Sequence, residues 1–278
     1  DIVEVDFNFE DELWKYKSNQ RILTNISSEI QKVLQQRGTN FSNISLTIGT
    51  SQAFLMILPL DFSEGRSSIN SKIHWELSNY FPDSYNEYIV NTYRLNSSLP
   101  FSESDEFLVI AVLKNTLEFI KRIFKLCNIK LSLIDIDHFS AENSLRKNCM
   151  NRISDKNVLL TGIKNGRADF GYIVNKKYRY YTYTTYSSKA EYNLNIVKKL
   201  KSLLNSNVAK GGVDIIFLYG DEIREDTLKA LKKLNNFKVE ILNPFESISS
   251  SSEYLQNSDL RKIHYNFASS CGVALRNF

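Results

Sequence analysis

The sequence has 278 residues, of which 42% are hydrophobic and 24% charged, with a formal net charge of +4. This composition is typical of a soluble globular protein with one or two domains. The net charge is too small to indicate that the protein needs an acidic partner. The longest apolar runs, such as 53–60, are far shorter than the roughly 18 residues of a membrane-spanning helix. Cys127, Cys149 and Cys271 are odd in number and widely spaced, which argues against a disulfide framework or a zinc site.

The amino-terminal half predicts strands and helices in alternation. A helix is expected from Asn25 to Arg37 with Gly38 as its cap, because Ile26, Ile30, Val33 and Leu34 share one face. A second helix, 64–79, has the buried stripe Ile69, Ile73 and Leu77 and is blocked by Pro82. The predicted strands are 1–7, 43–49, 53–60, 87–95 and 106–113.

The carboxyl-terminal half continues the same alternation. Helices are predicted at 115–127, from His138, at 188–204 and at 224–234, and strands at 130–137, 157–163, 213–220 and 238–242. A Tyr- and Thr-rich hairpin is predicted over 168–186, with its turn at Asn175–Lys177. In the last helix, Ile263, Phe267, Cys271 and Ala274 are expected to share a face.

Five stretches, in the same order along the chain, resemble the PilM family, the actin-like assembly proteins of bacterial type IV pili. They include a Trp-Glu pair before an aromatic residue and a proline, a strand-to-helix step, a glycine loop and an Asn-Pro-Phe strand end. The stretches are ISLTIGTSQAFLMILPL (44–60), IHWELSNYFP (73–82), LIDIDHFSAENSL (133–145), IIFLYGDEIREDTLKALKKLNNFKVEILNPFESI (215–248) and FASSCGVALRNF (267–278).

The resemblance implies an α/β, actin-like (ribonuclease H-like) fold with two lobes, an inserted α+β subdomain and a reduced second lobe. Lobe I is expected to comprise 1–42, 114–150 and 260–278. The inserted strand-strand-helix-strand-strand subdomain is 43–113. Lobe II is 151–259. Only one helix separates the Tyr-rich hairpin from the glycine-loop strand, so most of the subdomain that closes the nucleotide cleft in the family is expected to be absent.

The second phosphate hairpin departs from the pattern of nucleotide-binding relatives. Actin-like ATPases hold phosphates in hairpins built around Asp-x-Gly, where glycine lets backbone amides approach the anion. Asp137 matches an inherited acidic position, but Thr161 or Gly162 stands where the hairpin has its aspartate. The chain starts at Asp1 in what resembles the second strand of the first hairpin, so the loop of that hairpin is expected to precede Asp1.

The adenosine loop departs as well, because Gly220 is followed by Asp221 and Glu222. Two carboxylates there are expected to repel a nucleotide. At an effective dielectric of about 20, like charges about 4 Å apart cost on the order of 4 kcal/mol, and a helix amino terminus offsets only about 0.3–1 kcal/mol. These departures predict a non-catalytic relative, a pseudo-ATPase that uses neither ATP nor Mg²⁺.

By resemblance, the expected function is that of a scaffold at the cytoplasmic face of the inner membrane. Its expected partners are a short peptide of a PilN-like membrane protein and other components of a pilus or secretion machine. Contact with the membrane is expected to be only indirect, through this partner. A peptide-binding groove is predicted along 43–60 and 64–79, lined by Leu46, Ile48, Phe54, Met56, Ile73 and Trp75.

Two alternatives remain. One is the cytoplasmic domain of a GspL-like type II secretion protein, which is expected to continue into a transmembrane helix beyond Phe278. The other is a functional ATP-binding actin-like ATPase, which an Asp-x-Gly motif upstream of Asp1 favours.

Asp135, Asp137 and His138 stand close together in the sequence, a grouping also found in metal sites and acid–base pairs. We interpret them instead as a solvent-facing strand end that caps the next helix. The basic and aromatic hairpin segment 175–186 matches single-stranded nucleic-acid platforms, but we favour a protein-docking edge and no nucleic-acid partner.

Two further features have an ordinary structural interpretation. Trp75 is expected to face the protein core, because aromatic residues of an amphipathic helix usually do so. Lys198, Lys199 and Lys201 are expected to form a solvated helix face rather than a contact with anionic lipid.

Overall fold

In the computed structural model, the residues described are 20–37, 43–61, 65–95, 105–234, 237–248 and 258–277. The predicted strand 1–7 and the predicted cap Gly38 lie outside these ranges. The chain divides into two units, the first holding the described residues up to Arg94 and those from Asp105 to Ile136, and the second holding Leu95 and the described residues from Asp137 onward. No helix within the described ranges is both long and apolar enough to cross a membrane.

The described residues of the first unit form three α-helices and five strands. The helices are α1 (Gln20–Arg37), α2 (Arg66–Tyr80) and α3 (Lys114–Leu126), and the strands are β1 (Asn43–Ile48), β2 (Ala53–Leu60), β3 (Tyr88–Leu95), β4 (Asp105–Leu113) and β5 (Lys130–Ile136).

Helix α2 packs on one face of a three-stranded sheet with the order β2-β4-β3. Its buried residues are Ile69, Ile73 and Leu77, as the helical spacing predicted. They meet Phe107 and Val109 of β4, and each fully buried aliphatic side chain of this kind contributes about 1.5–3 kcal/mol. The sheet therefore has one face covered by α2.

Strand β1 does not join that sheet. It pairs in parallel with β5, from Asn43 opposite Lys130 to Ile48 opposite Ile136. Parallel neighbours need a long crossover, which the intervening strands and helices provide. The predicted subdomain 43–113 thus contributes three strands, not four, to one sheet.

The second unit has a five-stranded sheet with the order β10-β9-β6-β7-β8. The strands are β6 (Asn157–Lys164), β7 (Arg167–Val174), β8 (Lys177–Thr185), β9 (Ile215–Tyr219) and β10 (Lys238–Ile241). The helices are α4 (Asp137–Asn148), α5 (Met150–Ile153), α6 (Lys189–Leu204), α7 (Glu225–Lys232), α8 (Ser258–Lys262) and α9 (Ala268–Ala274).

Local sequence explains how β8 and α6 begin. Asn175 and Lys176 have positive φ angles of 48° and 63°, as the two-residue turn of a tight hairpin requires. The Ser188 hydroxyl accepts a hydrogen bond from the Glu191 backbone N–H and caps α6. Residues 186–214 between β8 and β9 are all described, and α6 is the only α-helix among them, which agrees with the short spacing in the sequence.

The end of the chain differs from its prediction. A turn of 3-10 helix at His264–Phe267 interrupts the expected single helix, and this shifts the buried face. Ala268, Gly272 and Val273 are buried, whereas Ile263 of the predicted face is 37% exposed. Helix α9 packs on α4 within the second unit, so 137–148 groups there and not with 114–136.

Gly272→Ala is expected to destabilise the second unit by about 1–3 kcal/mol or more. An added Cβ would lie 1.7 Å from the Ser140 backbone oxygen, so α9 would have to move away from α4. Thermal unfolding measures the effect, and Ser270→Ala on the exposed side of α9 is the control. Equal melting temperatures for the two variants would contradict this packing.

Candidate functional site

An apolar groove runs through the first unit and encloses about 350 Å³. Ile89, Ile110 and Val112 supply one wall, Leu117 of α3 adds to it, and residues 131–136 of β5 form the other. Alternation along β3 and β4 produces this wall, because side chains that do not face α2 emerge on the opposite face of the sheet. Ile89 remains 44% exposed there.

The edge of β5 faces the groove. All six consecutive residues 131–136 line it, whereas one face of a strand would contribute only alternate residues. Among the described residues, β5 pairs on one side only, with β1. The groove therefore combines an apolar wall with a strand edge that carries backbone donors and acceptors.

The structure separates the six residues predicted to line a groove. Only Ile48 lines the observed one, and Leu46 lies half-buried elsewhere on β1. Phe54, Met56 and Ile73 belong to the core between α2 and the sheet. Those three are therefore packing residues.

Trp75 is 64% exposed, so its predicted place in the core is wrong. Ile73 and Leu77 take the buried face of α2, and a residue midway between them in the sequence lies on the opposite side of a helix.

In the second unit, Gly162 of β6 pairs with Tyr219 of β9. A Cβ on Gly162 would lie 2.4 Å from the Tyr219 hydroxyl oxygen, so the tyrosine ring occupies the space directly over the glycine. Thr161 is buried, and its hydroxyl has no hydrogen-bond partner within the described ranges. The predicted second phosphate hairpin is therefore covered by a side chain of the same unit.

The glycine loop packs directly on β6. Gly220 has a φ of 108°, and an added Cβ would lie 2.2 Å from the Ile163 carbonyl oxygen. The Glu222 backbone N–H donates to that same oxygen over 3.2 Å. Glycine is required here for the turn and for the close approach of two backbone segments.

The predicted repulsion by two acidic side chains is weaker than expected. Arg224 forms an ion pair with Glu222 at 2.7 Å, which leaves Asp221 as the exposed carboxylate of the loop. Charge repulsion at this loop thus argues less strongly against a nucleotide than the packing does.

A buried charge cluster lies beside these loops. Asp169 is fully buried, and it accepts hydrogen bonds from Lys164 Nζ at 3.2 Å, Arg167 Nε at 2.9 Å and the Tyr181 hydroxyl at 2.6 Å. Lys164 also forms an ion pair with Asp137. Burial opposes ionisation of Asp169, but Lys164 and Arg167 lower its pKa overall. Two carboxylates and two cations balance each other without any added ion.

His138 is fully buried between two tyrosines. Its Nδ1 lies 2.8 Å from the Tyr219 hydroxyl and its Nε2 lies 3.1 Å from the Tyr178 hydroxyl. Burial lowers the pKa of His138 to about 3, so the ring is neutral. The solvent-facing interpretation of Asp137 and His138 is wrong, and within the described ranges no cluster of three His, Cys, Asp or Glu residues is arranged to hold a metal.

The network of Lys164, Arg167, Asp169 and Tyr181 was not predicted from the sequence. A signal was present, because three charged residues interrupt two otherwise apolar strands around a short turn. Charged residues are almost never buried unless they are paired, so their position between buried strands indicated an internal ion cluster.

His138 is expected to make the second unit less stable as the pH falls. The unfolded chain binds a proton near pH 6.5, whereas the folded chain does so only near pH 3. Between these values, this residue alone lowers the free energy of unfolding by about 1.4 kcal/mol per pH unit. Urea unfolding of wild type and His138→Gln from pH 7 to 4 checks this, and parallel pH profiles would contradict it.

Compared by sequence, the chain matches no protein-family model and no curated protein. Compared by structure, it matches a chain of a PilM-PilN type IV pilus biogenesis complex with a TM-score of 0.70 at 15% identity, covering 92% of this chain and 85% of that one.

Two weaker structural matches follow. A protein of actin-like ATPase fold and unknown function from Bacteroides thetaiotaomicron has a TM-score of 0.47 at 11% identity, over 80% of this chain and 78% of that one. The cytoplasmic domain of EpsL, an inner membrane component of the type II secretion system of Vibrio cholerae, has 0.43 at 10%, over 76% and 79%. The fold assignment rests on the first match, and the chain has an actin-like α/β fold of the PilM type.

Proposed function

We propose that this protein is a non-catalytic actin-like scaffold that holds a short peptide of a PilN-like membrane protein in the groove beside β5. The observation that carries the proposal is the pairing of an apolar wall with a strand edge along residues 131–136. The PilM-type fold supports a place in a type IV pilus-type assembly machine.

An extended peptide fits this groove chemically. Its backbone adds as a strand to β5, and this supplies main-chain hydrogen bonds without any catalytic group. Alternate side chains of the peptide enter the apolar wall at Ile89, Ile110 and Val112. Six residues of β5 span roughly 20 Å, which is long enough to hold a peptide of similar length.

The second unit supports a scaffold without nucleotide. Tyr219 covers Gly162, and the turn after Gly220 is bonded to Ile163. Lys164 is held by Asp137 and Asp169, so the carboxylates that remain are already neutralised. This arrangement does not fit a triphosphate with a metal ion.

Mg-ATP is therefore expected not to bind. Calorimetry up to millimolar nucleotide should give no heat beyond dilution, with a working actin-like ATPase measured in parallel as the positive control. Micromolar binding would overturn the non-catalytic part of the proposal and favour a functional ATPase.

The proposed location is the cytoplasmic face of the inner membrane, where the partner and not this chain enters the bilayer. A nucleic-acid role is not proposed, since Tyr178 and Tyr181 of the Tyr-rich hairpin are buried and the Arg167 guanidinium lies over the exposed Tyr183 ring, 3.9 Å from its centroid.

The direct test is binding of the cytoplasmic tail of a PilN-like protein. Fluorescence anisotropy with a labelled tail peptide should show saturable binding to the full chain, and a scrambled peptide should not bind. Equal binding of the two peptides would contradict the proposal.

A further inference from the structure

One end of the groove opens onto a basic depression. Lys121, Lys125 and Lys130 line this depression together with Leu131, and it encloses about 530 Å³. Lys121 and Leu131 also line the groove itself, so the two spaces adjoin each other.

The lysines are placed by regular structure. Leu117, Lys121 and Lys125 recur every four residues on α3 and therefore share one face. Lys130 is the first residue of β5. Leu117 therefore lines the groove, and Lys121 and Lys125 continue the same helix face into the basic depression.

These charges are available to a ligand. Lys125 and Lys130 are exposed and form no ion pair with any described residue. Lys121 contacts Glu118 at 2.7 Å, but both side chains are more than half exposed. Exposed pairs of this kind are weak and exchange readily for another carboxylate.

We propose that the groove selects peptides that carry Asp or Glu at the end lying beside Lys121, Lys125 and Lys130, next to an apolar stretch that fills the groove. This inference rests on the proposed function and specifies its ligand. Because the lysines lie at the start of β5 and Asp135 lines the groove near the end of that strand, the charges also fix the direction in which an extended peptide is bound.

An acidic peptide fits better than other anions. The basic depression adjoins an apolar groove that only a chain with both kinds of side chain can fill. Lysines bind as point charges and lack the planar fork with which arginine grips phosphate. Two or three exposed pairs are expected to change the affinity roughly tenfold.

The experiment is selection of a random twelve-residue peptide-display library on the full chain. Wild type is compared with Lys125→Glu/Lys130→Glu, with the charge-matched control Lys198→Glu/Lys201→Glu on α6, and with the groove variant Ile89→Glu. Wild type and the α6 control should enrich peptides with acidic residues at one end of an apolar run. The first variant should lose that preference roughly tenfold.

The outcomes separate the two ideas. If wild type and Lys125→Glu/Lys130→Glu both select apolar peptides, and these contain Asp and Glu equally often, this inference is overturned while the proposed function stands. If wild type enriches no peptides beyond those selected by Ile89→Glu, both this inference and the proposed function are overturned. In a third outcome, wild type selects no acidic peptides but binds anionic phosphatidylglycerol vesicles, and Lys125→Glu/Lys130→Glu does not bind them. That result would assign the lysines to a lipid surface and overturn the inference.

Discussion

Asp169→Asn is expected to lower the free energy of unfolding of the second unit by about 3–5 kcal/mol. The carboxylate is fully buried and bonded to Lys164, Arg167 and Tyr181. Removing its charge leaves two partly buried cations without their shared partner. Removing one partner of a buried ion pair leaves the other charge buried without compensation, and this lowers the free energy of unfolding by far more than the intact pair adds to it.

Urea unfolding followed by near-ultraviolet dichroism of the tyrosines measures this effect, because the second unit contains ten of the chain's fifteen Tyr residues and neither tryptophan. Tryptophan fluorescence reports separately on the first unit, which contains Trp75. Glu225→Gln removes an exposed carboxylate from an ion pair with Lys229 and is the control. A loss below about 1 kcal/mol, as for a surface pair, would contradict the buried cluster.

The same cluster predicts a pH dependence. The pKa of Asp169 is lowered in the folded chain. Its stabilisation is therefore complete above the pKa of an unfolded aspartate, about 3.9, and is lost as the pH falls below that value.

Ile89→Glu is expected to weaken binding of a PilN-like tail by at least about thirtyfold. Ile89 lies on the apolar wall of the groove, and a carboxylate there would be desolvated by the bound peptide without a partner, at a cost of about 2 kcal/mol or more. Because the side chain is 44% exposed in the free protein, the substitution should leave the fold intact.

Anisotropy titration measures this loss, and thermal unfolding checks that the variant is folded. Trp75→Glu is the matched control, since Trp75 is a large exposed residue of the same unit that does not line the groove. Loss of binding in Trp75→Glu and not in Ile89→Glu would move the binding surface to the outer face of α2.

Local pattern was sufficient for much of the fold. The stripe of Ile69, Ile73 and Leu77 predicted the buried face of α2, and the Tyr- and Thr-rich segments predicted β7 and β8. Spacing alone failed where the helix was interrupted. His264–Phe267 forms a 3-10 turn, which changes the number of residues per turn and rotates Ile263 out of the buried face.

The candidate site was harder to predict, because it depends on pairings between distant segments. The groove exists because β5 pairs with β1, which places the edge of β5 opposite the sheet wall. The paired residues Asn43 and Lys130 are 87 positions apart in the sequence. Likewise, Tyr219 covers Gly162 only because β9 lies beside β6. Neither relation leaves a periodic signal within a single element.

Hydrogen exchange of the β5 backbone with and without a bound PilN-like tail tests the central claim most directly. Amides of 131–134 that do not bond to β1 should exchange rapidly in the free protein and at least about tenfold more slowly in the complex, because strand addition gives them a partner. Unchanged exchange along β5, with slowing confined to α2 around Trp75, would contradict the account.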